Sequence, residues 1–192
     1  MFEKYNKVQQ AVLQTTLQII NEKELQATSM ALIAKQSGVS TGSIYHYFSS
    51  KEDIINELYK GIVKFNGEFV TSGLDTDEPI RIRFERAWKK VFELCMTYPL
   101  GFQFIEQYSF SPYIYDSSKQ EAYEGGWCGP LAKLYAEAIG QGLMMDMEPE
   151  QMVQMNYGSI VYLVKGHLEG HFNLNEKTIQ SVIDSSWKAV SR

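Results

Sequence analysis

The stretch Ser37 to Ile54, reading SGVSTGSIYHYFSSKEDI, restricts the fold more than any other part of the chain. Gly38 follows a short amphipathic segment (Met30, Ile33, Ala34, Ser37) and suits the φ > 0 turn that joins two helices. Val39 can plug the gap between those helices, and Ser40 is a good N-cap for the second. Thr41, Gly42 and Ser43 then fall in an exposed first turn. Ile44 and Phe48 are four apart and face inward, which leaves Thr41, Ser43, Tyr45 and His46 outward. Ser50-Lys51-Glu52-Asp53 opens a further helix, with an N-cap and an acid at the third helical position, close to a capping box. Two short helices about a glycine turn make a helix-turn-helix, whose second helix enters the major groove by its N-terminal end.

From Val12 to Tyr59 the chain resembles the N-terminal domain of the TetR/AcrR family of transcriptional regulators. Thr28-Ser29, Ile33-Ala34, Gly38-Val39-Ser40, Gly42, Tyr45, Tyr47-Phe48, Lys51-Glu52 and Ile54 carry the resemblance, in order and without gaps. Two departures bear on detail. Glu24 stands where the family often has a glycine ending the first helix, which affects the loop shape. Thr41 stands where relatives often have lysine, which removes one cation and affects operator sequence. The candidate DNA-contacting residues are Thr28, Ser29, Ser40, Thr41, Gly42, Ser43, Tyr45, His46, Tyr47 and Lys51. Tyr45 lies off the inward stripe, and the residue matching Tyr47 tends to touch phosphate in relatives. Lys51 puts a cation at a helix start, where the dipole disfavours it, so a DNA phosphate is its natural partner.

Net charge is −5, which argues against a nucleic-acid partner until the chain is divided. Residues 1–64 hold seven lysines against six acids, and the acidity sits in the remainder. The start, MFEKYNKVQQ, is too polar for a secretory signal, and no apolar run approaches the ~18 residues of a bilayer span. Cys95 and Cys128 lack paired spacing and suit a reducing cytoplasm. The expectation is a cytoplasmic protein with no membrane partner.

Helical periods run almost throughout. They predict helices at about 4–22, 30–36, 41–47, from Ser50 onward, 79–97, 100–108, 117–142 with breaks near Gly125-Gly126 and Gly129-Pro130, 149–169, and after Asn175. The expected fold is all-α with about nine helices. A three-helix DNA-binding domain (1–50) precedes a helical effector-binding and dimerisation domain (51–192). The resemblance implies two domains sharing the fourth helix. It also implies a homodimer in which the last two helices pair with their twins, with Met155, Ser159, Leu163, Ile179, Ile183 and Trp187 as candidate interface residues. Gly158, Ser159 and Gly166 would let helices approach closely.

Of the 25 Phe, Tyr and Trp residues, 19 follow residue 64; most belong to the core, since aromatics dominate its burial, and the excess leaves room for a binding site. Trp88, Phe92, Phe104, Tyr108, Trp127 and Tyr157 are candidates to line a cavity for a small apolar or aromatic effector. His167 and His171 are four apart, but Gly170 should end the helix between them and no third ligand has suitable spacing, so no metal and no cofactor are expected. No nucleophile-base-acid set or phosphate loop points to an enzyme. The sequence reading is a ligand-responsive regulator, a repressor that binds a pseudo-palindromic double-stranded operator. The alternative is an all-α small-molecule binding protein or enzyme that carries this fold without DNA function.

Overall fold

The computed structural model describes residues Met1–Arg192, with ten α-helices and no β-strand. In chain order they are α1 (Lys7–Lys23), α2 (Met30–Ser37), α3 (Thr41–Tyr47), α4 (Lys51–Thr71), α5 (Ile80–Thr97), α6 (Pro99–Tyr108), α7 (Asp116–Gly125), α8 (Cys128–Gly140), α9 (Pro149–Leu168) and α10 (Glu176–Val190). None is long and apolar enough to cross a membrane. The predicted seventh helix is two, because the chain breaks at Gly125-Gly126 and the second helix starts at Cys128. Pro130 is tolerated in the first turn of α8, where its missing N–H has no helical acceptor.

The chain packs as two compact units, Met1–Phe65 with Tyr98–Gly125, and Asn66–Thr97 with Gly126–Arg192. The first unit therefore includes α6 and α7, which the sequence grouped with the later helices. Its core takes Val12, Leu13, Leu17 and Ile20 from α1, Ile33 from α2, Ile44 from α3, and Ile54, Ile55, Leu58 and Ile62 from α4. Phe104, Tyr108 and Ala122 complete it.

The first helix starts at Lys7, not near residue 4, because Asn6 caps it. Asn6 Oδ1 accepts the N–H groups of Val8 and Gln9 at 3.0 Å, and Gln9 Oε1 accepts the Asn6 N–H at 3.3 Å. The residues before the cap lie across α4 as a strap. Phe2 is buried, and the Tyr5 hydroxyl donates to Glu57 Oε1 at 2.8 Å. Gly61 makes room for the strap, since a Cβ there would stand 3.1 Å from the Tyr5 hydroxyl and 3.2 Å from the Phe2 ring. Burial, then the Glu57 carboxylate, pushes the Tyr5 phenol well above its ordinary range.

Asn56 is a buried amide on α4 that reads the segment between α6 and α7 as a strand would. Its Nδ2 donates to the carbonyl of Tyr113 at 3.1 Å and its Oδ1 accepts the N–H of Tyr115 at 2.8 Å. The same Nδ2 donates to Glu52 O at 2.8 Å. A buried amide with this many partners fixes the segment in place.

In the second unit, α5, α8, α9 and α10 enclose Phe84, Trp88, Phe92, Leu131, Leu134, Tyr135, Met152, Ile160, Val164 and Ile183. The polar segment 72–78 is held onto α5. Arg83 Nε donates to Leu74 O at 2.9 Å, Arg86 to Gly73 O at 2.7 Å, and Lys90 to Ser72 O. Neither cysteine is in a disulfide. Cys95 is buried, and burial pushes the Cys128 thiol up to about 11, so Cys128 is not a reactive thiolate.

Glu24, at the end of α1, adopts φ 64° and ψ 165°, a region open to glycine and costly for other residues. Its N–H bonds Ile20 O at 3.0 Å, and the following N–H of Leu25 donates to the Tyr108 hydroxyl at 3.3 Å, so the surroundings impose the conformation. Relief of roughly 1–3 kcal/mol of strain outweighs the extra chain entropy of glycine, roughly 0.5–1 kcal/mol. Glu24→Gly is therefore expected to stabilise the protein by about 1 kcal/mol in urea unfolding, and a loss of stability would contradict the strain.

Candidate nucleic-acid interface

The segment from Ser29 to Lys51 is built from consecutive caps. Ser29 Oγ accepts the Leu32 N–H at 3.2 Å and starts α2. Gly38 ends it in the left-handed conformation, φ 69° and ψ 9°. Ser40 Oγ accepts the Ser43 N–H at 3.1 Å and starts α3. Ser50 Oγ accepts the Asp53 N–H at 3.1 Å and starts α4, while Asp53 reaches back to the Ser49 N–H at 2.9 Å. The predicted bounds of α2 and α3 hold to within one residue because each end carries its own local signal.

Inside α3 only Ile44 is buried, and Phe48 follows it into the core. Every other side chain of the helix is exposed: Thr41, Ser43, Tyr45, His46 and Tyr47, with Ser40 before them. Ser40 and Ser43 share a hydroxyl contact of 2.8 Å, and His46 packs edge-on against Tyr47 at 4.7 Å between ring centroids. Ser29 is exposed, and Lys51 is half-buried in the first turn of α4. Nine of the ten candidate contact residues thus lie at the surface of one unit. Thr28 is the exception: it is buried, and its hydroxyl donates to Glu24 O at 3.1 Å, which secures the turn before α2. The exposed set offers hydroxyl donors and acceptors, two phenols, an imidazole and one ammonium, the groups that bond phosphate oxygens and base edges.

Gly42 stands out within this surface. It is exposed in a helix, its φ is ordinary, and nothing lies within 4 Å of where a Cβ would be. Nothing inside the chain requires glycine there, although glycine weakens a helix. A close approach from outside is what the absent side chain leaves room for.

The six aromatic candidates are not one cluster. Phe104 and Tyr108 sit in the core of the first unit, 5.4 Å apart, and Tyr108 serves Leu25. Trp88, Trp127 and Tyr157 form a chain of edge contacts in the second unit, at 6.0 Å and 5.0 Å between centroids. Phe92, itself almost fully buried, backs a groove of about 600 Å³ between α5 and α10, also lined by Lys89, Met96, Lys177 and Ile179. Sequence reading missed Tyr135 and Asn156. The Tyr135 oxygen accepts the Trp88 indole N–H at 3.0 Å and the Asn156 amide at 2.6 Å, all three buried. The signal was present: Asn156 interrupts the apolar stripe Met152, Val153, Ile160 and Val164 on α9.

The candidate interface residues also divide. Met155 and Ser159 are exposed and Leu163 half-buried on α9, and the same face carries Tyr162, which is 79% exposed. On α10 the geometry is different. Ile183 is buried within the chain's own core, Ile179 is half-buried, and Trp187 packs against Phe84 at 5.0 Å and beneath Arg81. The Phe172 ring lies over Gly166, where a Cβ would stand 2.7 Å from the ring and displace it. His167 Nδ1 lies 3.3 Å from both the Phe172 carbonyl and the Leu174 N–H, and His171 pairs with Glu169 at 3.6 Å.

Known proteins share both halves of this arrangement. Residues 12–58 match the family described as bacterial regulatory proteins, tetR family, and residues 79–191 match the family described as tetracyclin repressor-like, C-terminal domain. An uncharacterized HTH-type transcriptional regulator of Haemophilus influenzae is 20% identical over 183 residues, covering 94% of each chain. The HTH-type transcriptional repressor KstR2 of Rhodococcus jostii is 40% identical over 60 residues, 29% of each chain. The crystal structure of a TetR family transcription regulator from Marinobacter aquaeolei superposes with a TM-score of 0.88 at 19% identity, covering 100% of this chain and 99% of that one.

Gly42→Ala separates the two reasons for a glycine. The substitution is expected to raise stability by about 0.5–1 kcal/mol, as alanine does in an exposed helix. It is expected at the same time to weaken binding to duplex DNA in a gel shift. Unchanged DNA affinity would show that nothing approaches Gly42 closely.

Proposed function

The chain belongs to the tetR family of bacterial regulatory proteins, and we propose that it is a homodimeric repressor released from its operator by a small apolar or aromatic effector. It is a helix-turn-helix transcriptional regulator by family. The observation that carries the finer reading is the division of α3: Ile44 holds the helix, and all its other side chains are outward. In this reading Thr41, Gly42, Ser43 and His46 read bases, while Ser29, Ser40, Tyr45, Tyr47 and Lys51 position the backbone.

Two copies are required for a pseudo-palindromic site, whose half-sites lie about 34–36 Å apart or at multiples of that spacing. The exposed apolar face of α9 (Met155, Tyr162) with the small residues Gly158 and Ser159 supports pairing through that helix. The effector reading rests on the second unit alone, on Trp127 and Tyr157 at the margin of the Trp88 cluster. The hydroxyl of Tyr135 and the amide of Asn156 supply polar groups within that cluster. Phe104 and Tyr108 are left out of it. Effector and operator then act through one coupling free energy, so each weakens the other's binding by the same factor. The reading as a repressor draws support from the resemblance of the N-terminal region to a named repressor.

Duplexes enriched by the protein from random DNA provide the operator for the test. Lys51→Ala is expected to weaken binding to operator and random duplexes alike, because a phosphate contact carries no sequence information. The slope of log K against log salt should flatten by about 0.9 per contact, roughly 1.8 for a dimer. An unchanged slope would remove Lys51 from the DNA backbone, and no enriched duplex would remove the proposal.

A further inference from the structure

We propose that His46 is the missing cation of the reading helix: it binds operator DNA as an imidazolium and takes up its proton on binding. The inference rests on the DNA-binding role proposed for α3 and goes beyond it, to proton-linked control of operator affinity.

The surface is short of fixed positive charge. The sequence of α3, TGSIYHY, has no lysine or arginine, and the half-buried Lys51 is the only lysine or arginine among the candidate contacts. Residues 1–64 contain no arginine, and their seven lysines are nearly balanced by six acids. Duplex DNA brings about one negative charge per 1.7 Å of its axis to this surface. An exposed imidazole placed in that field, with little fixed cationic charge beside it, is favoured in its charged form.

His46 is placed to respond. It is exposed in the last turn of α3, where the carbonyl end of a helix also favours a cation. Its one interaction in the chain is the edge-on contact with Tyr47. The charged groups on the surrounding elements are Lys7, Glu22 and Lys23 on α1, Glu24 after it, Lys35 on α2, and Lys51, Glu52, Asp53, Glu57, Lys60, Lys64 and Glu68 on α4. None of them pairs with His46, and Asp53 is already engaged by Ser49. The phenols of Tyr45 and Tyr47 are the other titratable groups on the same helix. Nothing within the chain thus competes with DNA for the imidazolium. It is also the sole histidine of the first unit, the others being His167 and His171.

The sign follows from linkage. The negative charge of the bound duplex raises the histidine's proton affinity in the complex above its value in the free protein. The added binding strength is then fully present at pH below the free value, and is lost as pH rises through the value in the complex. Affinity is therefore expected to fall several-fold per protomer between pH 6 and 8, and by the square of that factor for a dimer.

The test measures binding of the full-length chain to its enriched duplex across that range at constant salt, with folding checked at each pH by circular dichroism. The wild type is expected to bind more tightly toward acid pH. His46→Gln should bind with a flat profile near the weak alkaline level. His46→Arg, whose guanidinium stays charged, should bind tightly throughout. The double variant His167→Gln/His171→Gln should keep the wild-type profile. A flat wild-type profile, or a slope that survives in His46→Gln, overturns the inference while leaving the DNA-binding reading intact. Failure to bind any duplex at any pH overturns both.

Discussion

The burial of Ile44 and Phe48 holds a seven-residue helix in place so that its remaining side chains can work as a surface. A helix of that length is not stable alone in water. Two such apolar side chains, each contributing about 1.5–3 kcal/mol on burial, supply much of what its propensity lacks. The glycine turn at Gly38 sets the direction from which α3 enters, and the caps at Ser40 and Ser50 fix where it begins and where the next helix takes over. With those few anchors made, no polar group of α3 is needed to keep it folded. The exposed hydroxyls, phenols and imidazole are therefore available to another molecule.

Polar contacts then tie the rest of the first unit to α4. Asn56 holds the segment after α6, and the Tyr5–Glu57–Lys60–Glu121 chain joins the N-terminal strap, α4 and α7. The Lys60–Glu57 pair is 2.7 Å and partly exposed, so its energy is modest and its value is in direction. Asn56 is buried and different in kind. Losing it strands a carbonyl and an N–H of the chain, at about 1–3 kcal/mol for each group left unpaired. α4 is thus positioned by specific bonds as well as by its apolar stripe.

The helix-turn-helix was legible because its determinants are local: a glycine, two serine caps and two inward residues within the eighteen positions Ser37–Ile54. The departure at Glu24 was legible too, and the structure shows what it means, a non-glycine residue held at positive φ. Other features depend on which core a side chain joins, and periodicity says only that it points inward. Phe104 and Tyr108 were inward as expected, but toward α1 and Leu25, not toward Trp88. Ile183 and Trp187 had the spacing of an interface stripe and are used by the chain's own α5 side. Gly166 had the look of a close helix approach, and the chain's own Phe172 ring lies over it. The start of α1 was misplaced because the Asn6–Gln9 box was overlooked, a signal the sequence did contain.

The central claim is that two copies present α3 to successive turns of one duplex. Hydroxyl-radical footprinting on the enriched duplex tests this most directly. The account predicts two protected patches related by a dyad, centred about one helical turn of 10–10.5 base pairs apart or a multiple of it. A single patch without a dyad, or uniform protection along the duplex, would contradict it.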